Sequence, residues 1–140
     1  MSLVLLFDDD PLVCDIVRAA LEAKGYVVGV RPDAQDIVRI VESKRPALVI
    51  LDCVMPGIPG MEALRRLRAS KTYFDVPVLM LTARISRGDE EIALRAGASD
   101  YLRKPFDADQ LAATVDCLTR QSLRRPRASQ ASFGLASRGR

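Results

Sequence analysis

Five side chains just beyond the ends of four apolar runs carry the groups needed to handle a phosphoryl group. Asp8 and Asp9 follow Leu3-Val4-Leu5-Leu6-Phe7, and Asp52 follows Ala47-Leu48-Val49-Ile50-Leu51. Thr82 follows Val78-Leu79-Met80-Leu81, and Lys104-Pro105 comes just after Tyr101-Leu102. Adjacent carboxylates at the end of a buried strand repel one another and lose hydration, and a divalent cation relieves both penalties. Oxygen ligands without histidine or thiolate suit Mg²⁺, with Mn²⁺ as the alternative hard ion.

Each residue also has an ordinary explanation. Acids often follow strands because they cap the next helix, and Asp10, directly before Pro11, fits that role well. Asp8 and Asp9 fit it poorly. Asp52 as a cap is weakened because Val54-Met55-Pro56 follows and the next helix starts several residues later. A carboxylate beside a bound cation can be both ligand and nucleophile, forming an acyl phosphate. Thr82 alone would be a β-branched strand residue, and Lys104 alone a surface charge. At neighbouring strand ends, a hydroxyl and an ammonium can together meet the oxygens of a transferring phosphoryl group.

Those strand ends follow from the pattern of the chain. Short, nearly all-apolar runs read as strands buried on both faces of a parallel sheet. They alternate five times with helix-period segments: strands at about 3–8, 26–30, 47–51, 77–81 and 99–102, helices at about 11–24, 33–43, up to Ala69, 87–96 and from Asp107. Leu12, Ile16, Ala19 and Ala20 read as the inner face of the first helix. Ala34, Ile37, Val38 and Val41 read as that of the second, and Leu111, Val115 and Leu118 as that of the last. Strict alternation with short connections predicts an α/β three-layer sandwich whose five-stranded parallel sheet has the flavodoxin-like order 2-1-3-4-5. In such sheets ligands bind outside the carboxyl ends of the strands, where these five side chains stand.

Composition narrows the class further. At 140 residues the chain makes one domain, expected over 1–120, followed by a basic flexible tail or the start of a linker over 121–140. The absence of histidine removes His-based catalysis, and three widely spaced cysteines fit neither a disulfide framework nor a zinc knuckle. Of 21 basic residues, Arg124, Arg125, Arg127, Arg138 and Arg140 lie in the tail, leaving 16 against 18 acids in the body. The body is therefore slightly acidic, and direct nucleic-acid binding by residues 1–120 is not expected. No apolar run spans a bilayer, and Asp8-Asp9-Asp10 interrupts the only signal-peptide candidate, so a cytoplasmic protein is expected.

The chain resembles the receiver domain of two-component response regulators over roughly residues 2–120. The motifs are Leu5-Leu6-Phe7-Asp8-Asp9-Asp10-Pro11, Leu51-Asp52-Cys53-Val54-Met55-Pro56 with Gly60, Leu81-Thr82-Ala83, and Gly97-Ala98-Ser99-Asp100-Tyr101-Leu102-Arg103-Lys104-Pro105-Phe106. The resemblance implies that Asp52 is the phosphoacceptor, fed by a histidine kinase or histidine phosphotransfer protein, in a protein that modifies itself and turns over no external substrate. It implies Mg²⁺ held by Asp9, Asp52 and the backbone carbonyl of Val54, with Asp8 mostly through water. Lys104, Thr82 and the Ala83 backbone would bind the phosphoryl group, and Thr82 and Tyr101 would act as the switch. The face of the fourth helix, fifth strand and last helix would carry the output, with a homodimer through it as one form.

Departures from the family pattern are few. Pro59 precedes Gly60 where an acid is frequent. Val54 is apolar where many relatives are polar, and Arg84 is long and cationic. Val54 and Arg84 line the route of an attacking water, so the resemblance makes them tuners of dephosphorylation. Two other readings compete with this one. Asp8-x-Asp10 has the spacing of haloacid-dehalogenase-type phosphohydrolases, but no acidic pair follows a later strand and Asp52 would go unexplained. A receiver-like scaffold without phosphorylation would not need the full set Asp8, Asp9, Asp52, Thr82 and Lys104.

Overall fold

Successive residues of each central strand point to opposite faces of one sheet, and both faces are apolar. The computed structural model describes residues 2–83 and 87–124. In chain order the elements are β1 (Leu3–Phe7), α1 (Pro11–Glu22), β2 (Val27–Arg31), α2 (Ile37–Lys44), β3 (Leu48–Asp52), α3 (Gly60–Arg68), β4 (Val78–Thr82), α4 (Arg87–Arg95), β5 (Asp100–Arg103) and α5 (Ala108–Arg124). All neighbouring strands are parallel, and the sheet order is β2-β1-β3-β4-β5, as the alternation predicts.

One core joins Leu5, Phe7, Val49, Leu51, Val78 and Met80 to Ile37, Val41, Leu64, Leu67 and Ala93 of α2, α3 and α4. The other joins Val4, Leu6, Ile50, Leu79, Leu81 and Leu102 to Val17 and Leu21 of α1 and Leu111, Val115 and Leu118 of α5. Each such fully buried side chain stabilises the fold by about 1.5–3 kcal/mol relative to exposure. The register then sets the site. Phe7 pairs with Leu51 and Leu51 with Met80, so the residues one step further, Asp8, Asp52 and Leu81, come level at the carboxyl edge.

Several boundaries differ from the sequence reading. In α1, Leu12 is 67% and Ile16 41% exposed, and Ala19 is exposed, while Val17 and Leu21 are buried. This helix carries two apolar stripes, and the Val17–Leu21 stripe is the one that meets the sheet. The second helix starts at Ile37 rather than near 33, because Asp33 Oδ1 accepts the Gln35 N–H at 3.2 Å and holds a turn there. Strand β2 begins one residue late. Tyr26 instead aims its hydroxyl at α5, donating to Asp116 and lying 3.2 Å from Thr119 Oγ1. The last helix continues to Arg124, past the boundary expected at 120–121, and residues 125–140 lie outside the described residues. At the start of α1, Asp10 caps as expected: its Oδ1 accepts the Leu12 N–H at 3.0 Å, with Pro11 in the first turn.

Candidate functional site

Asp52 is the last residue of β3 and is only 6% exposed. Asp8, one step beyond β1, is 1% exposed, and its Oδ1 accepts the Asp10 N–H at 2.9 Å. Asp9 is exposed at the rim. Carboxylate oxygens of Asp8, Asp9 and Asp52 all lie within 4.8 Å of one another. Facing them is Lys104, whose Nζ donates to Asp8 Oδ2 at 3.0 Å and stands 3.5 Å from Asp52 Oδ1. The strand register thus gathers residues separated by most of the chain.

Three carboxylates against one ammonium leave the pocket with excess negative charge. Burial pushes the Asp52 carboxyl above its ordinary pKa and the charge of Asp8 adds to this, with the Val54 N–H and Lys104 partly offsetting both. Burial alone would pull Lys104 down, but the Asp8 hydrogen bond and the charges of Asp8 and Asp52 outweigh it and hold the ammonium above its usual range. A hard divalent cation fits this donor set: it is all oxygen, closely spaced, over-charged and partly open at Asp9.

The backbone around the pocket is tightly set. Asp52 Oδ1 accepts the Val54 N–H at 3.3 Å, and Cys53 O accepts the Gly60 N–H at 3.0 Å. A Cβ on Gly60 would lie 2.2 Å from the Asp52 carbonyl oxygen, so only glycine allows α3 to start this close to the strand end. Thr82 ends β4 fully buried, and its carbonyl accepts the Lys104 N–H at 2.8 Å, which fixes the base of the lysine. Ala83 follows it at the surface, and the Lys104–Pro105 peptide is cis. Tyr101 on β5 is buried at 9% exposure. Burial and Cys53 push the Tyr101 phenol pKa up, and the Thr82 hydroxyl partly offsets them. Val54 is 63% exposed, and Arg84 lies outside the described residues.

Two supports of this architecture escaped the sequence reading. The Cys14 thiol, one turn into α1, donates to the Asp8 carbonyl at 3.4 Å. Arg68, at the end of α3, donates Nε–H to Gly97 O at 2.9 Å and Nη1–H to Phe74 O and Val76 O at 3.0 and 2.7 Å. A lone arginine in Arg65-Arg66-Leu67-Arg68 gives no periodic signal for this. Only the turn glycine Gly97, where a Cβ would meet the Arg68 side chain, hints at it.

A doubly wound parallel sheet with three carboxylates and a lysine converging at its carboxyl edge defines the receiver class of signalling domain. The chain belongs to the response regulator receiver domain family, which it matches over residues 4–116. It is 40% identical over 125 residues to the transcriptional regulatory protein TrcR of Mycobacterium tuberculosis, covering 88% of this chain and 48% of that one. The beryllofluoride-activated receiver domain of RstA from Klebsiella pneumoniae superposes with a TM-score of 0.78 at 30% identity, over 85% of this chain and 99% of that one. The receiver domain of a sensor histidine kinase from Pseudomonas aeruginosa, solved with magnesium in its active-site cleft, gives 0.77 at 34% identity, over 85% and 98%. The chain spans about half the length of the curated relatives it matches. Among them is the response regulator MprA of Mycolicibacterium vanbaalenii, 40% identical over 119 residues, covering 85% of this chain and 51% of that one. Among the described residues no helix is long and apolar enough to cross a membrane.

Proposed function

We propose that Asp52 accepts a phosphoryl group from a phosphohistidine on a histidine kinase or histidine phosphotransfer protein. A carboxylate oxygen of Asp52 attacks phosphorus, the P–O bond forms as the P–N bond breaks, and the departing imidazole takes a proton from water. The observation that carries this reading is the placing of Lys104 between Asp8 and Asp52, beside a third carboxylate. Lys104 is positioned to shift from Asp8 towards the incoming phosphoryl oxygens, with the Thr82 hydroxyl and the Ala83 backbone N–H as further donors. Asp9, Asp52 and the Val54 carbonyl would hold Mg²⁺ or Mn²⁺, with Asp8 mostly through water. The bound ion would supply charge that lets two anions meet.

Phosphorylation adds roughly −2 charge, which draws Thr82 inward and frees space for Tyr101 to follow. The face of α4, β5 and α5 carries the output, including a homodimer in one form. Control of transcription is the output that TrcR's description suggests, carried out in the cytoplasm with no direct nucleic-acid contact by residues 1–120. Incubation with acetyl phosphate and Mg²⁺ tests the chemistry by intact mass. Wild type and Asp8→Asn should differ in rate only, and Asp52→Asn should take no acid-stable, base-labile adduct. An adduct that survives Asp52→Asn and is lost in Asp8→Asn would instead support a dehalogenase-type reaction. Beryllofluoride should shift amide resonances between 82 and 106. Shifts confined to the neighbourhoods of Asp9 and Asp52 would rule the switch out.

A further inference from the structure

The arginines at the end of α3 are put to two different uses. Arg65 and Arg66 face solvent and pair with Glu62 of their own helix. Arg68 is half-buried, and its guanidinium joins two segments far apart in the chain. Nη1–H bonds reach Phe74 O and Val76 O, just before β4, while Nε–H reaches Gly97 O in the turn between α4 and β5. The charge of Asp75 favours the cation that burial disfavours. The strands close the same end: Ser99 N–H donates to Val78 O at 2.8 Å, and Ser99 Oγ accepts the Val78 N–H at 3.0 Å. Gly97, at φ +113°, ends α4 with its N–H on Leu94 O, and a Cβ there would lie 2.9 Å from Arg68 Nε. Glycine alone combines that φ with so close an approach. The entry to β4 and the exit from α4 are thus tied together at the sheet edge opposite the acidic pocket.

We propose that Arg68 is a positioning residue that anchors the C-terminal end of α4, so that α4 answers the site by pivoting about Gly97. This rests on the switch through Thr82 and Tyr101 proposed above, and it names the part of the output face that moves. Each bond from a guanidinium to a carbonyl is charge-assisted and the fork is rigid, so the anchor is stiffer than an ordinary helix end. The other end of α4 starts at Arg87, shortly after Thr82, at the sheet edge that carries Asp52. A change of charge at Asp52 therefore displaces residues 87–92 and leaves 94–97 in place. A partner that distinguishes the two states must read the N-terminal half of α4, where Glu91 and Ile92 are exposed.

Amide hydrogen exchange on the resting protein tests the anchor, and beryllofluoride with Mg²⁺ tests the pivot. In Arg68→Met the Gly97 and Ala98 amides should exchange about tenfold faster than in wild type, after scaling to the core amide of Ile50. Arg68→Lys keeps the charge but cannot fork between both segments, and should give about a threefold increase. With beryllofluoride, wild-type amide shifts along α4 should be largest at 87–92 and fall to background by 97. In Arg68→Met they should be even along the helix, with Arg68→Lys between. Wild-type shifts as large at 94–97 as at 87–92, or the same gradient in both variants, would overturn the pivot while leaving the switch standing. Exchange that rises at Ile50 as much as at Gly97 would make Arg68 a general support and overturn the anchor. Wild-type shifts confined to the neighbourhoods of Asp9 and Asp52 would overturn the switch itself, and the pivot with it.

Discussion

Lys104 Nζ lies 3.0 Å from the Asp8 carboxylate and 3.5 Å from that of Asp52, so one ammonium neutralises two buried acids unevenly. Asp8 takes the hydrogen bond and Asp52 keeps the larger share of uncompensated charge. Removing the ammonium leaves both acids buried without a counterion, so Lys104→Met should cost on the order of 3 kcal/mol at neutral pH without divalent ions. Because the lysine pKa is raised on folding, its contribution is complete below about 10.4, the ordinary value, and is lost only as pH climbs through the folded value. Urea unfolding of wild type and Lys104→Met at neutral pH and at about pH 10 checks this. Equal stability at neutral pH would contradict the pairing.

Asp52 should show the opposite linkage. Its carboxyl pKa is raised on folding, so between the unfolded and folded values the native state holds more protons, and stability falls as pH rises. Above the folded value the penalty is constant. Asp52→Asn should therefore be more stable than wild type at pH 7, by about 1 kcal/mol or more and a few degrees in Tm. That gain should vanish as pH drops below the ordinary aspartate value of about 3.9. A variant less stable than wild type at pH 7 would show that Asp52 is compensated by something other than Lys104 and Val54.

Magnesium should remove the same penalty by binding the folded state. At ten times its dissociation constant, an ion binding only the native protein adds about 1.4 kcal/mol. Wild type should gain Tm with added Mg²⁺, and Asp9→Asn and Asp52→Asn should each lose most of that gain. Scanning calorimetry with and without the ion measures it. An undiminished shift in both variants would place the ion elsewhere.

Most of the fold and all the converging residues were legible because strand burial is written as continuous apolar runs. Leu3–Phe7 and Val78–Leu81 admit little else, and the parallel order brings their ends together. What the sequence hid was one-dimensional ambiguity. Leu12 with Ile16 and Val13 with Val17 and Leu21 are both apolar stripes at helical spacing, and only packing on the sheet selects the second. Near Asp33 a local side-chain turn outcompetes helix over four residues. Arg68 was invisible because its partners are backbone carbonyls, which leave no trace in the sequence.

Gly60 belongs to the Asp52 motif, and its physical reason is the approach of α3 to the Asp52 carbonyl. Gly60→Ala places a methyl 2.2 Å from that oxygen, a backbone atom that cannot turn aside. Overpacking of this kind costs roughly 1–3 kcal/mol, and the β3–α3 loop that carries Val54 must move to accommodate it. The variant should lose stability in that range and take phosphate from acetyl phosphate more slowly even at saturating Mg²⁺. Wild-type rates in a destabilised Gly60→Ala would separate loop position from chemistry.

Val54 sets the last expectation. Its N–H is held by Asp52 Oδ1 at 3.3 Å, which anchors the backbone beside the phosphoacceptor, while its side chain is 63% exposed. A water attacking an acyl phosphate on Asp52 would approach from the solvent side and must be aligned with phosphorus to react. Valine can offer it no hydrogen bond. Val54→Asn adds a donor and an acceptor without disturbing the core, since the position is already solvent-facing. One well-placed hydrogen bond of about 1 kcal/mol in the transition state is worth roughly a fivefold rate increase. Loss of phosphate from the purified phosphoprotein, followed at fixed Mg²⁺, should therefore be about fivefold faster in Val54→Asn than in wild type. Decay that is unchanged or slower would mean the water is positioned by other groups and that the valine plays no part in the lifetime of the phosphorylated state.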